Sequence, residues 1–574
     1  MSVILWVHPQ PLDCGLLHLS FYPRFTYNNL LKLAVYAKAK EKAGYPRLSY
    51  TVWRHVACNK LQMSEEHAWL LFKTFYLLSD WSQRDRINWI QSLTNEDATV
   101  TEQAKTTLSV KTLDFLLYLR IQQFTKLSLK SSLASGDEWP NRSKSPDLDN
   151  RNYAGSKQFD EQKYLSYVSN NLTELLQLLV EPEAFSENEH LLTADAVDAL
   201  GFLIGGQVDG NVMKVRQIAS MSSQAGKSGF SKISSTYSLK RFQSWLRSNL
   251  SDNCFGTMAC LINGERLPRL LGRTVSGNND VLASGADFKT RDERQSSASP
   301  RTPDDSASNR SGKIISNRSI APASDRLTIL AQVCKQTIIK TSEMEHSGVK
   351  IYRCHFSYIY LLAPLKYVII EKCRHTTVVL GAVETTVHCI SGDDITVIAT
   401  CHQFFSTSSN NCTYHLCTPS KPVMFIGNNN ITIAPYHTFY PLLSKHMQEV
   451  GLLPTVNLWD QVISIGPRSD STEPTSDYKF MKLSQFRQFI IPLTMEGDTT
   501  ANPCAMPMDY RKALLEKEAD IKKWHQYLDA QGLSDADKSK FKKLVQEKFE
   551  EWLIDTGHVR HLEGLILNSN SSST

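Results

Sequence analysis

Val349-Lys-Ile-Tyr-Arg-Cys354, Tyr367-Val-Ile-Ile370, Thr376-Thr-Val-Val-Leu380, Thr386-Val-His-Cys-Ile390, Ile395-Thr-Val-Ile-Ala-Thr400, Cys412-Thr-Tyr-His-Leu-Cys417, Val423-Met-Phe-Ile426 and Ile431-Thr-Ile-Ala434 follow one another through a 574-residue chain. Each run is short, rich in β-branched residues and closed by Gly, Asn, Asp, Ser or Pro, and no helical period separates them. Closely spaced short strands of this kind build a sandwich, a barrel or a β-helix. Cys373, Cys389 and Cys401 recur at strand positions, as compact inward-pointing side chains of stacked coils would, and a loose coil period of roughly 16–20 residues fits them. The pattern alone leaves the three architectures open.

Outward from this block the character changes. Residues 1–130 read as a helical N-terminal region: Asn29–Lys42, a helix capped by Ser64 with the stripe Trp69, Leu70, Phe72, Phe75 and Leu78, and Thr112–Phe124 all carry helical spacing. Residues 131–158 read as a polar linker, and 159–272 as a second helical region with a mobile Ser/Gly/Lys-rich stretch at 220–235. Residues 273–310 read as a disordered linker, too poor in apolar side chains to offset ordering entropy. The strand-rich domain occupies 311–448. A strand-containing extension, 449–506, includes Phe489-Ile-Ile-Pro-Leu493, and 507–567 reads as a helical hairpin whose second arm opens at Ser534.

Charge and composition narrow the function. Lys and Arg number 63 against 58 Asp and Glu, a net +5, which is weak support for nucleic-acid binding. No apolar stretch reaches the ~18 residues of a membrane span, and the N-terminus lacks a secretory leader, so reduced cytosolic thiols and no membrane insertion are expected. Between Arg511 and Asp555 ten basic residues balance ten acidic ones, unlike a polybasic membrane helix.

Three motifs carry chemistry only superficially. Gly226-Lys227-Ser228 ends like a phosphate loop, but position 221 is Met where that loop needs Gly. Cys412, His415 and Cys417 have metal-capable atoms, yet strand alternation turns Cys412 away from the other two, and buried structural thiols are the expectation. Asp393-Asp394 follows Gly392 and reads as a turn. No cofactor and no catalytic constellation are expected.

Tyr352-Arg-Cys-His-Phe-Ser-Tyr-Ile-Tyr-Leu-Leu-Ala-Pro-Leu365, Cys401-His-Gln-Phe-Phe405 and Ile433-Ala-Pro-Tyr436 resemble the tubulin-binding cofactor C domain, whose fold the cyclase-associated proteins share. Tyr45-Pro-Arg-Leu48, Trp53-Arg-His-Val-Ala-Cys58, Met495-Glu-Gly-Asp-Thr-Thr500 and Glu551-Trp-Leu-Ile-Asp-Thr-Gly557-His558 extend the resemblance to the tubulin-binding cofactor C domain-containing protein 1 group. The resemblance implies a mainly β central domain, a right-handed parallel β-helix of the C-CAP/cofactor C type, flanked by α-helical regions in a multidomain α+β chain. It implies a protein of the cytoplasm and cytoskeleton, at the microtubule organising centre, centrosome and spindle pole. Such a protein positions the centrosome and Golgi apparatus and regulates cell shape. The partners implied are centrosomal or microtubule-associated proteins, and beyond these tubulin or a small GTPase.

Catalytic members of that family carry a Gln-x-Arg element whose arginine stimulates GTP hydrolysis. A planar guanidinium stabilises charge developing on the γ-phosphate and is worth roughly 10³–10⁵ in rate. Here the element is Gln403-Phe404-Phe405, with phenylalanine at the arginine position, and no arginine occurs between Arg374 and Arg468. Lysines on the later coils cannot reproduce a bidentate guanidinium. The expectation is a non-enzymatic protein. Gln403, Phe404 and Phe405 are read either as a protein-docking face or as packing; a GTPase-activating or tubulin-folding cofactor acting on tubulin or an Arf-like GTPase is the alternative.

Overall fold

The computed structural model describes residues 2–17, 25–79, 82–93, 98–124, 160–180, 190–251, 258–260, 314–315, 327–342, 344–465, 478–530, 532, 534–556, 559 and 561–562. The expected linkers at 131–158 and 273–310 lie outside these residues.

The centre is a parallel β-solenoid of about six turns over residues 327–435. One wall stacks Leu327–Ala331, Gly348–Tyr352, Tyr367–Glu371, the second half of Arg374–Ile390, the second half of Asp393–Thr407, and Val423–Met424. The other stacks Thr337–Lys340, Tyr358–Leu361, the first halves of the same two long strands, Thr413–Cys417 and Ile431–Pro435. Register partners such as Gly348↔Tyr367 and Val387↔Phe404 set a coil length of 17 to 21 residues, close to the expected loose period of roughly 16–20 although Cys389 and Cys401 are only 12 apart. Three strands absent from the sequence reading, Leu327–Ala331, Thr337–Lys340 and Tyr358–Leu361, complete the early coils.

Alternation explains the interior. Cys354, Cys373, Cys389, Cys401 and Cys412 all point into one core with Val349, Ile351, Val378, Val397 and Phe404. Their thiols can satisfy main-chain acceptors: Cys373 Sγ lies 3.6 Å from the Ile351 carbonyl and Cys354 Sγ 3.5 Å from that of Leu330. Burial pushes the Cys373 and Cys401 thiols upward in pKa, so they remain protonated packing groups.

Every coil turns one corner through two left-handed residues three apart: Gln332 and Lys335, Arg353 and Phe356, Lys372 and His375, Ser391 and Asp394, Ser408 and Asn411, Gly427 and Asn430. A side chain in this conformation costs on the order of 1 kcal/mol, least for Asn and Asp, which the later coils use. The corner is also a side-chain ladder. Arg374 Nε meets Asp393 at 3.0 Å, Asn410 Nδ2 donates to Asp393 at 3.2 Å, and Asn429 Nδ2 donates to Asn410 at 3.1 Å. Asp393-Asp394, expected at a turn before a strand, instead opens the strand Asp393–Thr407 itself, with left-handed Asp394 at its corner.

The two N-terminal ranges share a single core. Leu5, Leu30, Trp53, Phe72 and Phe115 pack with Leu172, Leu200, Phe242 and Leu246. The helices Tyr27–Ala39, Glu65–Leu78, Thr112–Ile121, Asp160–Leu178 and Leu239–Asn249 match the periodic stretches. Ser64 Oγ accepts the His67 amide at 3.2 Å and caps the second of these. Small antiparallel sheets join them, including Val3–Val7 on Ile204–Val208, a pairing between residues about 200 apart.

Two expectations are corrected. The 220–235 stretch is ordered: it holds the short helix Ala225–Ser228 and the strand Phe230–Ser231, and Ser228 Oγ donates to the Ala219 carbonyl at 2.6 Å. Phe489-Ile-Ile-Pro-Leu493 forms no strand. Its Phe489 amide donates to His437, Pro492 has no N–H to continue a ladder, and Phe489, Ile491 and Leu493 pack on the solenoid's second wall.

Candidate functional site

The Gln403-Phe404-Phe405 element lies near the C-terminal end of Asp393–Thr407, and the pleat sends successive side chains to opposite faces. Phe404 points inward, with its ring centroid 4.7 Å from that of Tyr414. Phe405 points outward, between His388 at 5.6 Å and Phe425 at 5.5 Å. That outward face is not open to solvent. Phe405, Val423, Phe425 and Ile465 belong to the same core as the N-terminal helices. Phe404 and Phe405 are both 0% exposed and Gln403 is 1% exposed. The Gln403 amide donates to the Lys421 carbonyl of the next coil at 2.8 Å.

The covering layer is held by specific contacts along the wall. Tyr367 Oη donates to buried Asp13 at 3.1 Å. Trp6 and Cys14 pack on Leu327, Ile329, Tyr367 and Ile369. Farther along, Trp89 and Ile90 pack on Leu77, with Leu453 and Val456 against them. Gln83 Nε2 donates to the Gln448 carbonyl.

Arg86 is the residue that sequence reading could not place. It comes from the helix Gln83–Leu93 and grips Glu384 of the solenoid, Nη2 to Oε1 at 2.7 Å and Nη1 to the main-chain carbonyl at 3.2 Å. Its positive charge and, above all, burial hold the pKa of His402, next to Gln403, down to about 3. A guanidinium thus reaches the arginine-free coils, but it is 5% exposed and engaged by Glu384. Only the fold brings residues 298 apart together here, so no local signal marks Arg86.

The solenoid's other wall is also covered. Tyr360, Val379 and Ile398 pack under Leu443 and Met447 of the helix Leu443–Glu449 and beside Phe489 and Ile491. His415 stacks face to face on His437, centroids 3.6 Å apart, and burial holds the His415 pKa down to about 4. Cys417 lies on the His415 side of its strand, packed with Tyr436 and Cys504, and Cys412 is interior. Among the described residues no group of three or more His, Cys, Asp or Glu is placed to hold a metal ion. Lys227 of the phosphate-loop look-alike lines an open cavity of about 360 Å³ with Gln224 and Trp245, on a helix of four residues.

What the solenoid leaves accessible is its corner. Phe356, 52% exposed, stacks on His375 at 4.6 Å, and His375 Nδ1 lies 2.6 Å from Asp394 Oδ2. Asn430 bonds Asn411 at 2.6 Å, and Lys479 donates to Asn430 at 2.7 Å. These polar side chains bond one another along the stack, forming a flat, satisfied ladder.

Comparison with known proteins agrees with this architecture. The family model for tubulin binding cofactor C matches residues 346–465, most of the solenoid and the segment that follows it. TBCC domain-containing protein 1 of Bos taurus is 37% identical over 98% of this chain and 97% of its own length. The Homo sapiens protein of that name gives 37% over 98% and 97%, and the Danio rerio one 35% over 98% and 94%. The chain belongs to the TBCC domain-containing protein 1 family. The similarity in this family therefore includes the helical N-terminal region that covers Phe405, and is not confined to the solenoid.

Proposed function

We propose that this cofactor C-like, cytoskeleton-related protein is a non-enzymatic organiser that works through protein–protein contacts. The observation that carries the reading is Phe405. It occupies the position where the family resemblance puts an arginine, and it is buried beneath the chain's own N-terminal core. An arginine finger needs a guanidinium free to enter a partner's phosphate site. Arg86 is the nearby alternative, and its guanidinium is already bonded to Glu384.

Membership of the TBCC domain-containing protein 1 family supports placing the protein at the centrosome and spindle pole in the cytoplasm. There it contributes to centrosome and Golgi positioning and to cell shape, with centrosomal or microtubule-associated partners and, beyond these, tubulin or a small GTPase. Among the described residues no helix is long and apolar enough to cross a membrane.

Single-turnover GTP hydrolysis by tubulin and by an Arf-like GTPase, with and without the full-length chain, tests the enzymatic half. Unchanged rates are expected, and clear stimulation establishes the GTPase-activating alternative. Proximity labelling with the full-length chain tests the rest: centrosomal neighbours are expected, and their absence removes the organiser reading.

A further inference from the structure

The charge that nearly cancels over the whole chain does not cancel locally. Residues 210–251 carry seven Lys or Arg and no Asp or Glu, and all seven cations are exposed. Arg216 Nε meets Asp198 at 3.0 Å, and Asp209, just ahead of the segment, accepts the Ser2 amide at 2.7 Å. Among the described residues Lys214, Lys227, Lys232, Lys240, Arg241 and Arg247 form no ion pair.

The fold gathers several of these charges around one opening. The helix Leu239–Asn249 buries Leu239, Phe242, Trp245 and Leu246. Lys240, Ser244, Arg247 and Ser248, at spacings of four, seven and eight residues, share its exposed face. The short helix Ala225–Ser228 packs against it, and Trp245 Nε1 donates to Gln224 at 3.0 Å across the contact. Lys227 of that short helix lines the open cavity of about 360 Å³ together with Ser244 and Ser248. Gly229 then turns the chain at a left-handed φ of 72°, and Arg241 packs directly on it, so that Arg241 stands beside the end of the Lys227 helix. The strands Phe230–Ser231 and Thr236–Ser238 continue as a hairpin with Lys232-Ile-Ser-Ser235 at its tip. Ile233 there is the most exposed large apolar side chain among the described residues.

Unpaired cations around a polar opening, with no acid among them, select a polyanion. The cavity is within the range of about 300–1,000 Å³ typical of small-ligand sites, and an ammonium with two hydroxyls suits phosphate oxygens. A nucleotide is not the fit, because the glycine-rich main-chain cradle of a phosphate loop is missing. Ile233 decides the source of the phosphate. An aliphatic side chain standing in water at the end of a basic, serine-rich hairpin suits shallow burial between lipid headgroups and acyl chains, where apolar area adds to electrostatic attraction. A soluble phosphate or a purely acidic peptide offers it nothing to bury in.

We propose that this basic face is a peripheral membrane contact, in which a lipid headgroup bearing a free phosphate enters the cavity at Lys227, Ser244 and Ser248 and Ile233 dips into the bilayer interface. The neighbouring cations then lie on anionic headgroups, and no helix crosses the bilayer. This contact is additional to the protein partners proposed for the chain.

Flotation of the full-length chain with phosphatidylcholine vesicles containing about 20% phosphatidylserine, with and without about 5% phosphatidylinositol phosphate, tests it. Binding to the first vesicles is expected, with a several-fold gain on adding the phosphorylated lipid, and salt at about 1 M should abolish both. Lys227→Ala should remove the gain selectively. Arg241→Ala and Arg247→Ala should weaken binding to both vesicles by about five-fold each. Ile233→Ser should weaken both by about ten-fold. These side chains are exposed, so circular dichroism of each variant should match the wild type. Absence of vesicle binding overturns the proposal, including the case in which free inositol phosphate or polyglutamate binds instead. So does vesicle binding that Lys227→Ala and Ile233→Ser leave undiminished.

Discussion

The solenoid and the C-terminal helices treat apolar side chains in opposite ways. Between Leu327 and Pro435 nearly every large apolar residue is buried, either in the interior or under a covering layer, and Phe356 is the exposed exception among the described residues. Between Met508 and Thr556 the large apolar residues are mostly half in water. A coil's strands bond only to neighbouring coils, so the solenoid exists only when stacked and is buried by construction. A helix satisfies its own backbone and so holds together with its apolar side chains half in water. Apolar burial is therefore concentrated in the first region, and exposed apolar surface in the second.

The sharpest way to break this comparison is a matched pair of truncations. Phe404→Ala should destabilise the solenoid by about 3–5 kcal/mol, read from urea unfolding, because it empties an interior site. Phe549→Ala should leave the same transition within about 0.5 kcal/mol, as an exposed position does. Equal losses would mean that the helices belong to the folding core.

Acid should act on the solenoid and spare the helices. His415 and His402 have folded-state pKa values held down to about 4 and about 3 by burial. An imidazole with a depressed folded pKa resists the proton only while folded. Stability from this source is complete above about pH 6.5 and drains as pH falls toward 4, by on the order of 3 kcal/mol for a fully buried histidine. Thermal unfolding between pH 7.5 and 4 should show the loss, and His415→Phe should flatten it.

Next comes the seam between the solenoid and its N-terminal cover. Arg86→Ala leaves Glu384 without its cation and should cost about 1–3 kcal/mol, read as faster proteolysis of the N-terminal region from the solenoid. Arg86→Lys should recover only part of it, since an ammonium cannot make both contacts.

One further effect has the opposite sign. Lys73 lies on the covering layer, and desolvation, then Lys421 and Lys105, bring its pKa down to about 7. Its charge therefore opposes folding at and below neutral pH, and this opposition fades as pH rises from 7 toward 10.5. Lys73→Met should raise the melting temperature at pH 7, and the gain should shrink at pH 10.

Much of the fold was legible because its signals are local. The β-branched runs, the thiol spacing and the helical stripes each report on one element and its immediate environment. The early coils were harder to read: Leu327–Ala331 and Tyr358–Leu361 carry no period distinguishing them from other short apolar segments, although the left-handed corners recur every 17 to 21 residues. In hindsight the asparagines at 410, 411, 428, 429 and 430 are the visible trace of those corners. Phe489–Leu493 shows the converse, a strand-like apolar run that finds no ladder because Pro492 interrupts it.

At the candidate site the division is equally physical. The sequence by itself determined that no arginine stands at position 405 and that Phe541, Val545 and Phe549 share one helix face, since residue identity and helical spacing need no fold. Only the tertiary structure decided that Phe405 is sealed under the N-terminal core and that Arg86 arrives from 298 residues away to occupy Glu384. Burial and long-range pairing depend on which surfaces meet, and that is settled by packing the whole chain.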